Sequence, residues 1–373
     1  MIKLYFKQAL AQLRQQPIIS LVSILGTALA IFLIMLVVMI QQVKVAPFSP
    51  ESNRDRFLHV RFMSITNKEW GGGSSNGPMS VQTAKACFKS LTTPEAVTIY
   101  CVAAITTPAS MPGTPAISID MQQTDDTYWQ VFDFAFVDGK PYDQAAFESG
   151  RPVAVVTESV ARNLFGTTKA AGREFLLNHA PYTVAGVVKD VSALADAAYA
   201  QVWIPYTSTD LAQDTWSDNH MGMMSATILA RDRDDFDAIR EECEKVRLQY
   251  NNLLAENGYE LIYRNRPYDQ EKQAIAYAAN WEPDLSAARR QRVIIFIILL
   301  LVPAINLSSM TQSRLRQRVS EIGVRRAFGS TRTEMIGQIV MENLVVTLLA
   351  GCGITFQHIV CLSRQWIAIC PGL

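Results

Sequence analysis

The sequence predicts a membrane protein: α-helical transmembrane segments, three in number, plus a large α+β extracytoplasmic domain. Three observations carry this. Long uncharged apolar runs stand near both ends of the 373-residue chain. Basic residues cluster on matching sides of those runs. Between the first two runs lie about 250 residues of mixed strand and helix pattern, enough for one or two packed domains. Composition agrees: hydrophobic residues make up 49% and charged residues 18%, while the mean hydropathy is +0.10. The charge share is below the roughly 25% of soluble domains. Lys+Arg and Asp+Glu are both 34, giving zero net charge, which speaks against a nucleic-acid binder.

Residues 1–17 carry Lys3, Lys7 and Arg14 and no acid, and read as cytoplasmic. Ile18 to Ile40 is an uncharged run. At 1.5 Å per residue it exceeds the roughly 30 Å hydrocarbon core. A secretory signal would carry an apolar core of about 7–15 residues and a small-residue cleavage site. The following QQVKVAPF is a poor one, so residues 18–40 read as transmembrane helix 1.

Residues 41–292 then form the extracytoplasmic domain. Ala116 to Met121 alternates like a strand. TDDTYWQVFDF reads as a short helix running into a strand. Val153 to Val156 is β-branched; Thr157 caps the helix ESVARNLF, and Gly166 ends it. Tyr182 to Val188 and Gln201 to Pro205 read as further strands. Asp235 to Asn257 places Phe236, Ile239, Cys243, Val246, Tyr250 and Leu253 on one apolar stripe, with acids at its start and Gly258 at its end.

Residues 293–313 read as transmembrane helix 2, with Pro303 expected to kink it. Residues 314–342 read as a cytoplasmic loop, and its stretch 314–334 holds six arginines against Glu321 and Glu334. Gly329 reads as a helix stop. Thr331 with Glu334 three residues on reads as a capping box opening a second helix. A lipid anchor needs neither a helix break nor a capping box, so the loop reads as a docking element. Arg289, Arg290 and Arg292 run against the charge rule, but long translocated domains tolerate charge. Residues 343–363 read as a weaker transmembrane helix 3, and residues 364–373 as an atypical tail.

Chemistry-bearing motifs are sparse. No G-x-x-x-x-G-K-[ST] occurs. Gly71 to Gly77 reads as a flexible loop. His59, His179, His220 and His358 show no ligand spacing, and the Met residues beside His220 read as core or loop rather than as a soft-metal site. No metal, cofactor or catalytic set is assigned. Of the cysteines, Cys87 and Cys101 form the best candidate pair, but the odd count outside the membrane favours free thiols.

SEIGVRRAFGSTRTEMIGQIVMENL resembles the signature of FtsX-like ABC transporter permeases, E-I-G-x-R-R-A-x-G-[AS]-[ST]. Glu321, Ile322, Gly323, Arg325, Arg326, Ala327 and Gly329 occupy the motif. Glu342 matches a recurrent acid entering the third span. YWQVFDFAFVDGKPY, PVAVVTESVARNLFG and YTVAGVVKDV are similar to the periplasmic core domain of MacB-type permeases. The N-terminal stretch resembles the family's amphipathic lead-in and first span.

This resemblance implies a multi-pass permease subunit in a bacterial plasma membrane, with its N-terminus cytoplasmic and its large domain periplasmic. It implies a permease homodimer or heterodimer, a separate cytosolic ATPase contacting the motif residues, membrane lipid around the spans and a periplasmic accessory protein. The chain itself is then no enzyme. The alternatives are a signalling member controlling a periplasmic partner and a non-functional truncated permease, since the family has four transmembrane helices and the chain is expected to stop before the fourth.

Overall fold

A computed structural model describes residues 17–210, 214–317, 319–329, 331–337, 339–341, 343–345 and 347–348. Outside the described residues lie the rest of the lead-in, Glu342, most of the expected third span and the tail. The chain forms two compact units, one made of residues 42–285 and the other of the flanking segments.

Helix α1 runs Pro17–Val45, its residues up to 41 in the flanking unit and its last turn in the unit 42–285. Its stretch Ile24–Val45 has a mean hydropathy of 2.6 and is, among the described residues, the one helix long and apolar enough to cross a membrane. Its apolar side chains, among them Leu25, Leu29, Phe32 and Leu36, stay exposed, as lipid-facing residues do.

The unit 42–285 is built on strands β1 Phe57–Val60, β2 Met63–Asn67, β3 Ser74–Gly77, β4 Ala96–Cys101, β5 Ile105–Ser110, β6 Ile117–Thr124, β7 Phe136–Gly139, β8 Val153–Thr157, β9 Glu174–Leu177, β10 Ala180–Val188, β11 Val202–Pro205, β12 Met224–Leu229, β13 Tyr259–Ile262 and β14 Tyr268–Asp269. Eleven of them form one sheet. Within it the pairings β6–β11–β8–β10–β9–β5–β6 close a ring. Closure removes the exposed edges that invite aggregation.

The period-2 pattern explains the packing. Ala154 and Val156 of β8, Val202 and Ile204 of β11, and Ile119 and Met121 of β6 share one buried cluster. Val153, Val155 and Trp203 point the other way, into an aromatic cluster with Tyr128 and Phe132. Successive residues of a strand face opposite sides, so a strand buried on both reads as a continuous apolar run. The rest of the sheet, β4–β12–β1–β14, holds a third core together with helix α3.

Helix α2, Glu158–Phe165, starts at Thr157, whose hydroxyl accepts from Val160 N, and stops at Gly166 in the left-handed region. Helix α3 is Phe236–Leu254 and buries Phe236, Ile239, Cys243 and Leu254.

Two expectations need correction. After the short helix Tyr128–Val131 the next strand starts only at Phe136. Asp133 N is taken by Pro50 O at 2.7 Å, and Phe132 and Phe134 pack on Tyr128 and Trp129 instead of entering the ladder. The Gly-rich stretch is also more ordered than a flexible loop. Gly71 turns the chain, and Ser74–Gly77 then pairs with β2. Cys87 and Cys101 are free and buried; the Cys101 thiol faces Met224 Sδ at 3.8 Å.

Candidate functional site

Helix α4, Leu285–Gln317, carries Pro303 within it. It begins ahead of the apolar run, so Arg289, Arg290 and Arg292 sit on its first turns. Ile294, Ile297, Ile298, Leu301 and Ile305 are exposed. Thr311 Oγ1 donates to Asn343 Oδ1 at 3.1 Å, a polar tie to the helical segment that follows the loop.

The loop lies between these segments. Helix α5 is Val319–Ala327. Phe328 N still bonds Val324 O at 3.1 Å, and Gly329 N bonds Arg326 O at 3.1 Å. Gly329 then takes φ +91°. That conformation favours glycine because a Cβ would crowd the backbone. Thr331 restarts the helix: Thr331 N donates to Glu334 Oε2 at 2.9 Å, and Glu334 N donates to Thr331 Oγ1 at 3.3 Å. This is the reciprocal capping box expected from the two residue types.

The motif residues fall on this element as follows. Glu321, Ile322, Gly323, Arg325, Arg326 and Ala327 belong to α5, and Gly329 is its stop. Ile322, Arg326 and Gly329 share one side by helical spacing. Ile322 is half-buried, whereas Gly323, Arg326, Ala327 and Gly329 are exposed. Val324 and Phe328, four residues apart, present a second, apolar side, with Phe328 88% exposed. Glu342 lies outside the described residues.

A second cluster escaped sequence reasoning. In the unit 42–285, Glu51 and Arg54 form an ion pair at 2.5 Å with both side chains almost fully buried. Burial holds the Glu51 carboxyl above its ordinary range, against the pull of Arg54 and two backbone N–H groups. Nearby, His59 Nε2 lies 2.8 Å from Gln270 Oε1 and Nδ1 lies 3.2 Å from Thr227 Oγ1. Burial pushes His59 down to about 4. Glu51, His59, Arg61, Tyr100, Asp196 and Gln270 line a small pocket that is partly open to solvent. One sequence signal existed for this cluster: Pro47, which has no N–H for the carbonyl four residues earlier.

Residues 20–246 match the model of the MacB-like periplasmic core domain, and residues 293–356 match that of the FtsX-like permease C-terminal region. The macrolide export ATP-binding/permease protein MacB of Burkholderia cenocepacia is 26% identical over 230 residues, covering 61% of this chain and 31% of MacB. The chain thus spans about a third of that relative's length. The uncharacterized ABC transporter permease YknZ of Bacillus subtilis is 21% identical over 266 residues, covering 66% of this chain and 61% of YknZ. Among solved structures, the periplasmic region of MacB from Actinobacillus actinomycetemcomitans aligns at 17% identity and a TM-score of 0.38, covering 54% of this chain and 88% of that one. The core-domain match alone covers more than half of the residues, and the loop with its helix stop and capping box falls inside the second match. The chain belongs to the FtsX-like ABC transporter permeases that carry a MacB-like periplasmic core domain.

Proposed function

We propose that this chain is the permease subunit of a MacB/FtsX-type ABC system. It couples ATP hydrolysis by a separate cytosolic ATPase to movement of its outer domain. One observation carries the reading: the family motif folds as a short helix, a glycine stop and a capped restart, with Arg326, Val324 and Phe328 exposed. A helix–turn–helix of defined geometry with exposed charge and apolar surface suits a protein partner. A lipid anchor needs only flexible basic residues.

In this reading residues 18–40, 293–313 and 343–363 span the membrane, residues 314–342 face the cytoplasm and residues 41–292 face outward. Two permeases pair around two ATPases. Nucleotide closes the ATPases, the loops move with them, and the spans carry the displacement outward. The two outer-domain states are biased by nucleotide, as any ligand-driven shift requires. The similarity to macrolide export ATP-binding/permease proteins favours export over signalling as the outcome.

Co-purification from membranes tests the docking. Wild-type chain is expected to retain its co-expressed ATPase subunit, and the variant Arg325→Glu/Arg326→Glu to lose it at equal permease yield. Equal recovery with both proteins refutes the assignment.

A further inference from the structure

The end of helix α1 poses a bonding problem that the outer unit solves with side chains. In an α-helix the carbonyl of residue i accepts from the N–H of residue i+4. For Val43 that partner is Pro47, which has none. The last bond of the regular ladder is Ala46 N to Gln42 O at 2.7 Å. The carbonyls of Val43, Lys44 and Ala46 then need other donors.

Arg54 and Gln270 supply them. Arg54 Nη1 donates to Val43 O at 2.8 Å and to Ala46 O at 3.1 Å. Gln270 Nε2 donates to Lys44 O at 2.8 Å, while its Oε1 lies against His59 of β1. The rest of the guanidinium reaches elsewhere. Nη2 donates to Leu194 O at 2.7 Å, and Nε to Glu51 Oε2 at 2.5 Å. Glu51 Oε1 in turn accepts from Ala197 N and Ala198 N, each at 2.9 Å. Phe48 stacks beneath the guanidinium, 4.2 Å from it.

Stability alone is a poor reason for this arrangement. Apolar residues of similar volume often serve the fold as well as a buried ion pair does. What the pair provides is attachment. One planar fork joins the last helical turn to residue 51 and to the 194–198 loop, and a cation at a helix C-terminus is favourable in itself. A lysine, with its single ammonium, does not reproduce the fork.

We propose that Arg54, with Glu51 and Gln270, is a mechanical clamp. These are positioning residues that deliver displacement of the first helix to the 192–200 loop and to β1, instead of letting the linker at 46–56 absorb it. The inference rests on the transmission reading above and names the joint through which transmission passes.

The test uses the full chain with its co-expressed ATPase subunit in lipid nanodiscs. Amide hydrogen exchange over residues 192–200 is compared with and without a non-hydrolysable ATP analogue. The wild type is expected to show a nucleotide-dependent change there. Arg54→Gln is expected to lose it while still hydrolysing ATP and keeping wild-type exchange in β4 and β12. Arg54→Lys is expected to give no rescue. Gln270→Leu, which leaves the ion pair in place, is expected to reduce the change and serves as the reading should Arg54 variants not fold. A responding wild type with equally responding Arg54→Gln or Gln270→Leu complexes overturns the clamp alone. A wild-type complex that never responds to nucleotide overturns the transmission reading and the clamp with it.

Discussion

Acid should weaken the outer unit through His59, by an amount that follows from its surroundings. The ring is 6% exposed and packs edge-on against Phe57. Gln270 donates its amide N–H to Lys44 O, so its oxygen faces the ring and accepts from Nε2–H. Nδ1 is then the acceptor, taking the Thr227 hydroxyl proton, and Thr227 takes that of Tyr100. The network is satisfied by a neutral imidazole. Protonation puts a charge in a buried site and a second donor against the Thr227 hydroxyl.

Burial therefore holds His59 down to about 4, against an ordinary value of 6.5. Between those values the unfolded chain binds a proton that the folded chain refuses. Stability is lost as pH falls through that window. Linkage gives a loss of about 2 kcal/mol between pH 7 and pH 5 for a shift of this size. Glu51 and Asp125 are held above their ordinary values, so their contributions run the opposite way and grow as the pH falls. Comparing wild type with His59→Gln cancels them. The assay is urea unfolding of the full chain in detergent, followed by tryptophan fluorescence at both pH values. The wild type should lose about 2 kcal/mol more than the variant on acidification. Identical losses in the two proteins would refute the reasoning.

Two further outcomes follow from named contacts. Thr157→Ala removes the hydroxyl that caps α2 and should cost about 1 kcal/mol, read as a lower urea midpoint with unchanged slope. Asp125 is buried. It accepts from Thr98 Oγ1, Ile99 N and Tyr128 N and pairs with Lys89 at 2.6 Å. Asp125→Ala should cost about 3 kcal/mol, because two backbone N–H groups lose their partner and the ammonium its counter-charge; thermal unfolding checks it.

Local signals were legible in the sequence wherever a short-range rule governs the backbone. Thr157 and Gly166 bracket α2, and the stripe from Phe236 through Ile239 and Cys243 to Tyr250 packs inward, but Leu253 is 70% exposed and Leu254 is buried in its place. Thr331 and Glu334 form the box their spacing predicts. What failed was long-range. Phe132 and Phe134 look like strand residues, but ring packing and the Pro50 carbonyl claimed that backbone. The parallel pairing of β11 with β6, which closes the ring, joins segments about eighty residues apart, and no local pattern encodes it. The clamp is the extreme case. Arg54 and Glu51 are ordinary surface residue types, and their burial depends on carbonyls at 43, 46 and 194 meeting in one place. Only Pro47 hinted at it. Within the loop, the motif gave the element and its break, while the exposed Val324–Phe328 side emerged only from the folded helix.

That side offers the most direct measurement of ATPase docking. A benzophenone-bearing residue substituted at Phe328, which is 88% exposed, is irradiated in membranes of cells producing the chain. Leu248 on the outer-domain helix, 51% exposed, is the control position. A light-dependent adduct is expected between position 328 and a P-loop ATPase subunit, absent at position 248 and lost in the Arg325→Glu/Arg326→Glu background. Adducts at position 328 that contain only lipid or the permease itself, with the ATPase produced in the same cells, would contradict docking.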